Sequence, residues 1–339
     1  MRAVGYQDSL PIEAAAALVD IELMKPEPTG RDLLVEVHAV SVNPVDTKVR
    51  RRAQPEAGGW KVLGYDAAGV VAAVGPEATL FKRGDAVFYA GDINRPGTNA
   101  AFHLVDERIV GRKPASLDWA QAAALPLTAI TAWEALFDRL DVGTPVPGAA
   151  AVILIIGGAG GVASIAIQLA RQLTGLSVIA TASRPETRAW VQDLGAHQVV
   201  DHTKPLAEQV MALGLGAPGF VFSTTNTDKH LAEIVALIAP QGRFALIDDP
   251  AVLDINPFKR KSVSVHWEMM FTRSTFQTAD MGAQGDLLTE VARMVDAGTV
   301  RTTLGENFGA INATNLKRAH ALIESGRARG KIVLEGFAG

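Results

Sequence analysis

The run Val152-Ile153-Leu154-Ile155-Ile156-Gly157-Gly158-Ala159-Gly160-Gly161-Val162-Ala163 contains the pattern Gly158-x-Gly160-x-x-Ala163. It follows an apolar, strand-like stretch and opens a stretch with helical spacing, the context in which this pattern binds a dinucleotide. Gly158 is expected to permit the tight turn, Gly160 to let the backbone approach a pyrophosphate, and Ala163 to let helix pack on strand. The backbone of Gly158, Ala159, Gly160, Gly161 and Val162 would then face the phosphates. The N–H groups at a helix N-terminus favour negative charge there. A glycine-rich turn without a ligand is the alternative.

The second strand of such a unit, 178–182, ends in Ser183-Arg184-Pro185-Glu186. An NAD site usually carries an acidic residue at this tip, holding the ribose hydroxyls. A hydroxyl and a guanidinium suit a 2′-phosphate instead, so NADP (NADPH) is the expected cofactor. Ser183-x-x-Glu186 also reads as a capping box with Ser183 as N-cap. Arg184 is alternatively an ordinary exposed arginine.

Strands and helices must position these groups. After residue 120 a helix is expected over 120–140. Alternation then gives strand 151–156, helix 162–173, strand 178–182, helix 185–194, strand 198–200, helix 204–213, strand 220–223, helix 229–238 and strand 243–247. A sixth strand is expected over 262–267. The strands are short and apolar, as in a parallel sheet covered on both faces. The first ~120 residues lack this alternation and read as β-rich, with strands at 33–42, 70–74 and 86–89 and turns at Gly75-Pro76 and Gly84-Asp85. The tail offers helices near 286–297 and 312–324 and a final strand near 331–334. The basic run 48–52 reads as a solvated surface.

The fold class is therefore α/β: a β-rich domain at 1–122, completed by 270–339, and a doubly wound parallel-sheet domain at 123–269. With 339 residues, 48% hydrophobic and 20% charged, the chain has ample material for packed cores. A balance of 32 basic against 36 acidic residues gives no global reason to expect nucleic acid or an anionic membrane as partner. The chain has no cysteine, which removes disulfides, iron–sulfur clusters, thiolate zinc sites and cysteine nucleophiles together. Residues 148–170 carry no charge over a length that could span a bilayer. Glycines in the middle make strand, turn and buried helix the more economical reading. Asp8 and Glu13 interrupt any apolar export signal, and a cytoplasmic location is expected.

The chain resembles the medium-chain dehydrogenase/reductase superfamily, and within it the zinc-free quinone oxidoreductase branch and the zinc-type alcohol dehydrogenase-like subfamily. The markers are Val42-Asn43-Pro44-Val45-Asp46, Gly64-Tyr65-Asp66-Ala67-Ala68-Gly69, the segment 125–133, the glycine loop and Gly330-Lys331-Ile332-Val333-Leu334. The resemblance implies a GroES-like first domain, a Rossmann second domain and a cofactor between them. It places Asn43 near the nicotinamide and Thr131 near its ribose. It also places His202 where relatives carry a tyrosine near the adenosine phosphate, and Thr224 on the cofactor side. Tyr65 would donate a hydrogen bond or line the pocket. Lys331 would reach the cleft or remain a surface lysine, His202 would touch phosphate or face solvent, and Asn43-Pro44 would be a turn, a ligand contact or both.

Zinc-dependent members of the family place a cysteine where this chain has Asn43 and a histidine–glutamate pair where it has Tyr65-Asp66. No metal is therefore expected. Without a Lewis acid for an alcohol, the expected reaction is hydride transfer from NADPH to a quinone or an α,β-unsaturated carbonyl. Asn43, Tyr65 and Thr131 are the candidate catalytic residues. The expected partners are a small-molecule substrate and a second copy of the chain, paired through the sixth strand at His266-Trp267-Glu268. A zinc-type alcohol dehydrogenase and a non-enzymatic NADPH-binding sensor are the competing readings.

Overall fold

Near-continuous burial along Asp32–Val42, paired on both edges, makes this strand the spine of the first unit. In the computed structural model, which describes residues 1–337, one compact unit comprises Met1–Ile130 and the residues from Phe271 onward, and a second comprises Thr131–Met270.

In the first unit a seven-stranded sheet, among the described residues, runs in the order Leu304–Asn307, Lys331–Glu335, Asp32–Val42, Asp66–Val74, Ala86–Ala90 and Val110–Arg112, with Phe102–Asp106 also paired to Asp32–Val42. A smaller sheet joins Val19–Glu22, Arg2–Tyr6 and Lys61–Val62. Leu33, Val35, Val37, Val71, Val87 and Leu334 form part of one apolar core. This is the GroES-like β-rich domain. The strand Lys331–Glu335 lies antiparallel to Asp32–Val42, with Ile332 opposite Val42. That pairing brings the side chain of residue 331 to the end of the strand that leads into Asn43.

The run 48–52 differs from its sequence reading. It lies in a helix, Pro44–Arg52, and Arg50 is fully buried, its guanidinium donating to the Leu10 carbonyl and the Glu324 carboxylate. A helix packed against the helix Ala313–Glu324 must bury one face, and a buried guanidinium is tolerated where an anion and a carbonyl receive it.

The second unit carries a six-stranded parallel sheet in the order Gln198–Val200, Ser177–Thr181, Ala150–Ile156, Pro218–Ser223, Arg243–Leu246 and Ser264–Trp267. This is the Rossmann order, whose direction reverses beside the first strand, where such sheets bind ligands. Leu154, Ile179, Val221, Phe244 and Leu246 belong to its core. The apolar stretch 148–170 divides into the strand Ala150–Ile156 and the helix Gly161–Leu173, and no helix among the described residues is long and apolar enough to cross a membrane. The helix expected over 120–140 is three pieces: Trp119–Ala123, Pro126–Trp133 and a π-helical turn, Glu134–Arg139. Pro126 has no N–H to continue the first piece.

Candidate functional site

The glycine loop is shaped by two close approaches. Gly157 has φ +82°, and a Cβ there would lie 2.4 Å from Thr224 Oγ1. Gly157, rather than Gly158, is thus the residue that makes the tight turn. At Gly158 a Cβ would lie 2.9 Å from the Thr181 carbonyl oxygen, so this position needs glycine for packing against the second strand. The loop is held from both sides. Gly157 N–H donates to Thr181 Oγ1 at 3.0 Å and Gly158 N–H to Thr181 O at 3.0 Å, while Thr224 Oγ1 donates to Ile156 O at 2.8 Å. Gly160 is the N-cap of the helix Gly161–Leu173, and Gly161 and Val162 head its first turn. The first N–H groups of a helix have no partner within it. Ala159, Gly160, Gly161 and Val162 are half-buried rather than enclosed, which leaves that cradle open to an anion.

At the tip of the second strand, the N-cap of the helix Pro185–Asp193 is Arg184, not Ser183. Thr187 supplies the cap: its Oγ1 accepts from Arg184 N at 3.2 Å and donates to Arg184 O at 2.9 Å. The expected capping role of Ser183 is corrected, because Pro185 at the first helical position moves the helix start one residue on. Arg184 Nε lies 3.0 Å from Glu186 Oε1, with both side chains well exposed. Arg188, absent from the sequence reading, donates to Ala182 O at 3.2 Å and Val199 O at 3.1 Å and so ties the ends of two strands together.

His202, just after the strand Gln198–Val200, is half-buried, and its Nδ1 is buried without a hydrogen-bond partner among the described residues. Burial holds its pKa below the usual value, opposed by Asp201 and reinforced by Arg184. His230 interacts electrostatically with it and is also held down, first by burial and then by His202. Ser183, Arg184, His202 and His230 thus bring donors and latent positive charge to the end of one strand pair, and His202 presents an orphan nitrogen. That chemistry fits a phosphate.

In the first unit, three site residues expected from the sequence lie in and beside a buried charge network. Lys331 is 3% exposed, which excludes the surface alternative. Its Nζ donates to Val42 O at 3.0 Å, to Asp66 Oδ2 at 3.1 Å and to Asn43 Oδ1. Three acceptors use all three N–H bonds of an ammonium. Burial lowers the lysine pKa, while Asp66 and Asp46 push it back up. Asp66 Oδ2 also accepts from Asn43 Nδ2 at 2.7 Å and Ser41 Oγ at 2.7 Å, and Oδ1 accepts from Leu127 N at 2.7 Å. Asn43 is 1% exposed and heads the helix Pro44–Arg52. Its backbone N–H donates to Asp46 Oδ2 at 2.7 Å, and Gly64 N–H donates to Asp46 Oδ1 at 2.9 Å. Burial raises the Asp46 pKa to about 7 against those two hydrogen bonds and Lys331.

Tyr65 is 2% exposed, edge-on to Phe271 at 5.2 Å between ring centroids, and its hydroxyl makes no hydrogen bond among the described residues. Burial pushes its pKa up, so it is a protonated donor at neutral pH. Thr131 is buried in the helix Pro126–Trp133.

The sequence reading named Asn43, Tyr65 and Lys331 but missed Ser41, Asp46 and the role of Asp66. Asp46 had a local signal, its position three residues after an N-cap. The site does not fit zinc. Asp66 and Asn43 are spent on the Lys331 ammonium, and no group of three or more His, Cys, Asp or Glu among the described residues is placed to hold a metal ion.

A family model described as an alcohol dehydrogenase GroES-like domain matches residues 29–113, and one described as a zinc-binding dehydrogenase matches residues 194–334. A zinc-type alcohol dehydrogenase-like protein of Staphylococcus aureus is 39% identical, covering 98% of this chain and 99% of the relative. Human quinone oxidoreductase is 28% identical, covering 92% of each. A solved structure from Rhizobium etli, provisionally described as a zinc-dependent alcohol dehydrogenase, is 69% identical with a TM-score of 0.98, covering 100% of this chain and 99% of that one.

Proposed function

The chain belongs to the medium-chain dehydrogenase/reductase superfamily of oxidoreductases, and from that premise we propose an NADPH-dependent, zinc-independent reductase of quinones or α,β-unsaturated carbonyls. The observation that carries this reading is the Lys331–Asp66–Asn43 network, in which an internal ammonium takes up the oxygens a metal would need. With no such Lewis acid, the acceptor must already be electrophilic. The name of the human relative supports a quinone.

When bound, the nicotinamide supplies the hydride. The chain supplies binding and orientation. The backbone of Gly158, Ala159, Gly160, Gly161 and Val162 receives the pyrophosphate, and Ser183, Arg184 and His202 receive the 2′-phosphate. Thr131 and Thr224 hold the ribose and nicotinamide side. Lys331 and Asp66 fix the Asn43 amide with its oxygen toward the ammonium and its nitrogen toward the carboxylate, so Asn43 meets a ligand only as a donor. Tyr65 donates to the oxygen on which negative charge develops. In this assignment 1–122 with 270–339 is the substrate domain and 123–269 the NADP-binding domain. The working form is a cytoplasmic homodimer paired through the edge strand Ser264–Trp267, where Trp267 is 55% exposed. An unpaired sheet edge of this kind invites a second strand.

The test is NADPH oxidation by the purified chain against quinones, enones, enals and simple ketones, with and without chelator. Turnover confined to quinones or enones and indifferent to chelator supports the proposal. Alcohol oxidation lost to chelator points to a zinc enzyme, and tight NADPH binding without turnover points to a sensor.

A further inference from the structure

A chain of buried hydroxyls stands at the end of the strand Pro218–Ser223, and the proposed reaction does not use it. Ser223 lies beside Ile156 on one neighbouring strand and Leu246 on the other, so the last residues of three parallel strands stand abreast. Asp248 follows just beyond Leu246. Its carboxylate accepts from Thr227 N at 2.9 Å and from Thr227 Oγ1. The Thr227 hydroxyl proton is thereby committed, so Thr227 Oγ1 accepts from Ser223 Oγ at 2.8 Å. Ser223 and Thr227 are fully buried, and Asp248 is half-buried. Buried hydroxyls need partners, and the carboxylate anchors this pair.

These bonds close the base of a short loop, Thr224-Thr225-Asn226. Ser223 enters it, and Thr227 leaves it as the first residue of the helix Thr227–Leu237. The loop rests on the glycine turn. Thr224 N and Oγ1 both donate to Ile156 O, at 3.2 Å and 2.8 Å. A Cβ on Gly157 would lie 2.4 Å from Thr224 Oγ1 and 2.9 Å from Thr225 Cγ2. Asn226 has φ +50°, in the left-handed region that residues with a side chain rarely adopt. Thr225 and Asn226 are exposed, with Asn226 Nδ2 donating to Thr225 Oγ1 at 3.1 Å. A backbone of that kind persists only where its surroundings hold it, and here the hydroxyl chain from Asp248 does so.

The strand order places the loop. Ala150–Ile156 lies between Ser177–Thr181 and Pro218–Ser223. Ser177–Thr181 leads to Ser183 and Arg184, the adenosine side in the proposed reading, so the loop 224–226 flanks the opposite side of the crevice.

We propose that Asp248 is a positioning residue for the cofactor: through Thr227 and Ser223 it holds the loop 224–226 against the glycine turn, as the wall that receives the nicotinamide half of the dinucleotide. This role rests on the NADPH reading and adds to it a residue that acts through others.

The experiment measures dissociation constants of NADPH and of adenosine 2′,5′-bisphosphate, which lacks the nicotinamide half, for the full chain and its variants. Asp248→Ala strips Thr227 of both acceptors and should weaken NADPH about tenfold, the worth of one hydrogen bond, while the bisphosphate changes by less than about twofold. Asp248→Asn restores an acceptor for Thr227 N and should recover most of that loss. Ser223→Ala leaves the carboxylate on the helix and breaks only the link to the strand. It should weaken NADPH about three- to tenfold and again spare the bisphosphate, and it decides the role should Asp248→Ala not fold. NADPH binding unchanged in Ser223→Ala overturns the proposal, because Asp248 would then only cap a helix. Equal weakening of both ligands overturns it too, because the whole unit would have loosened. A wild type that binds neither ligand overturns the NADPH reading, and the positioning role falls with it.

Discussion

Lys331–Asp66 and Arg184–Glu186 are ion pairs of nearly the same length, 3.1 Å and 3.0 Å. Their surroundings give them opposite meanings. The first pair has side chains 3% and 0% exposed, the second 41% and 54%. Two charges removed from water each need the other, and the hydrogen bonds from Ser41, Asn43 and Leu127 are part of what makes that burial tolerable. Two charges left in water hold each other weakly, and either can exchange its partner for a ligand. The buried pair therefore shapes the site, and the exposed pair stands where water and ions reach it.

Breaking the buried pair should have the largest effect. Lys331→Met leaves Asp66 ionised and uncompensated, at a cost of about 3–5 kcal/mol in unfolding free energy. Lys331→Met with Asp66→Asn removes both charges and should recover most of that loss. Urea denaturation of the three proteins decides it. A single variant as stable as wild type, or a double variant no better than the single, would mean the pair does not hold the network together.

Asp46 sharpens the comparison by pH. In the fold it keeps its proton up to about 7, whereas in the unfolded chain it loses it in the ordinary carboxylate range. The folded state thus holds one more proton between those limits. Stability from this group is full in acid, falls by about 1.4 kcal/mol per pH unit as pH rises, and is level above about 7. Asp46→Asn should flatten that slope by one proton between pH 5 and 7, whatever it does to absolute stability. An unchanged slope would remove Asp46 from the list of titrating groups.

What could be read from the sequence follows the range of each interaction. The glycine loop and the strand–helix alternation after residue 150 are local patterns, and the parallel sheet has the expected strands. The departure from zinc ligands at Asn43, Tyr65 and Asp66 was equally visible. Lys331 was left undecided because its partners Asp66 and Asn43 are 265 and 288 residues away in the chain. Only the antiparallel pairing of Lys331–Glu335 with Asp32–Val42 brings them together. Arg50 was misread for a related reason: its partner Glu324 lies 274 residues on, and a basic run by itself looks like a solvated face. Assigning the turn to Gly158 missed by one residue, because packing against Thr181 and a positive φ are different demands that the letters do not distinguish. The π turn at 134–139 leaves no mark in hydrophobic spacing.

On the exposed side, Arg184→Ala should weaken NADPH about 10- to 100-fold and change NADH little, the worth of a hydrogen bond to a charged group. Equal weakening of both cofactors would return Arg184 to the ordinary surface. Tyr65→Phe comes next. Its hydroxyl has no hydrogen-bond partner among the described residues, so removing it should leave NADPH binding unchanged and lower turnover about tenfold through one lost donor. Turnover unaffected by the change would make Tyr65 a pocket wall.

The smallest effect belongs to Glu186→Gln. Glu186 competes with a 2′-phosphate for the Arg184 guanidinium, and both partners stand mostly in water. Exposed ion pairs are worth about 0.2–1 kcal/mol. Removing the competitor should therefore tighten NADPH by only about 1.4- to 5-fold. NADH, which has no phosphate to take up the freed guanidinium, should not respond. High salt screens both the pair and the ligand contact, so the difference between wild type and variant should shrink as ionic strength rises. Paired titrations at low and high salt measure it. A variant that binds NADPH more weakly would show that Glu186 orients Arg184 for the phosphate rather than competing for it, and the pair would then belong with the buried one as part of the site's framework.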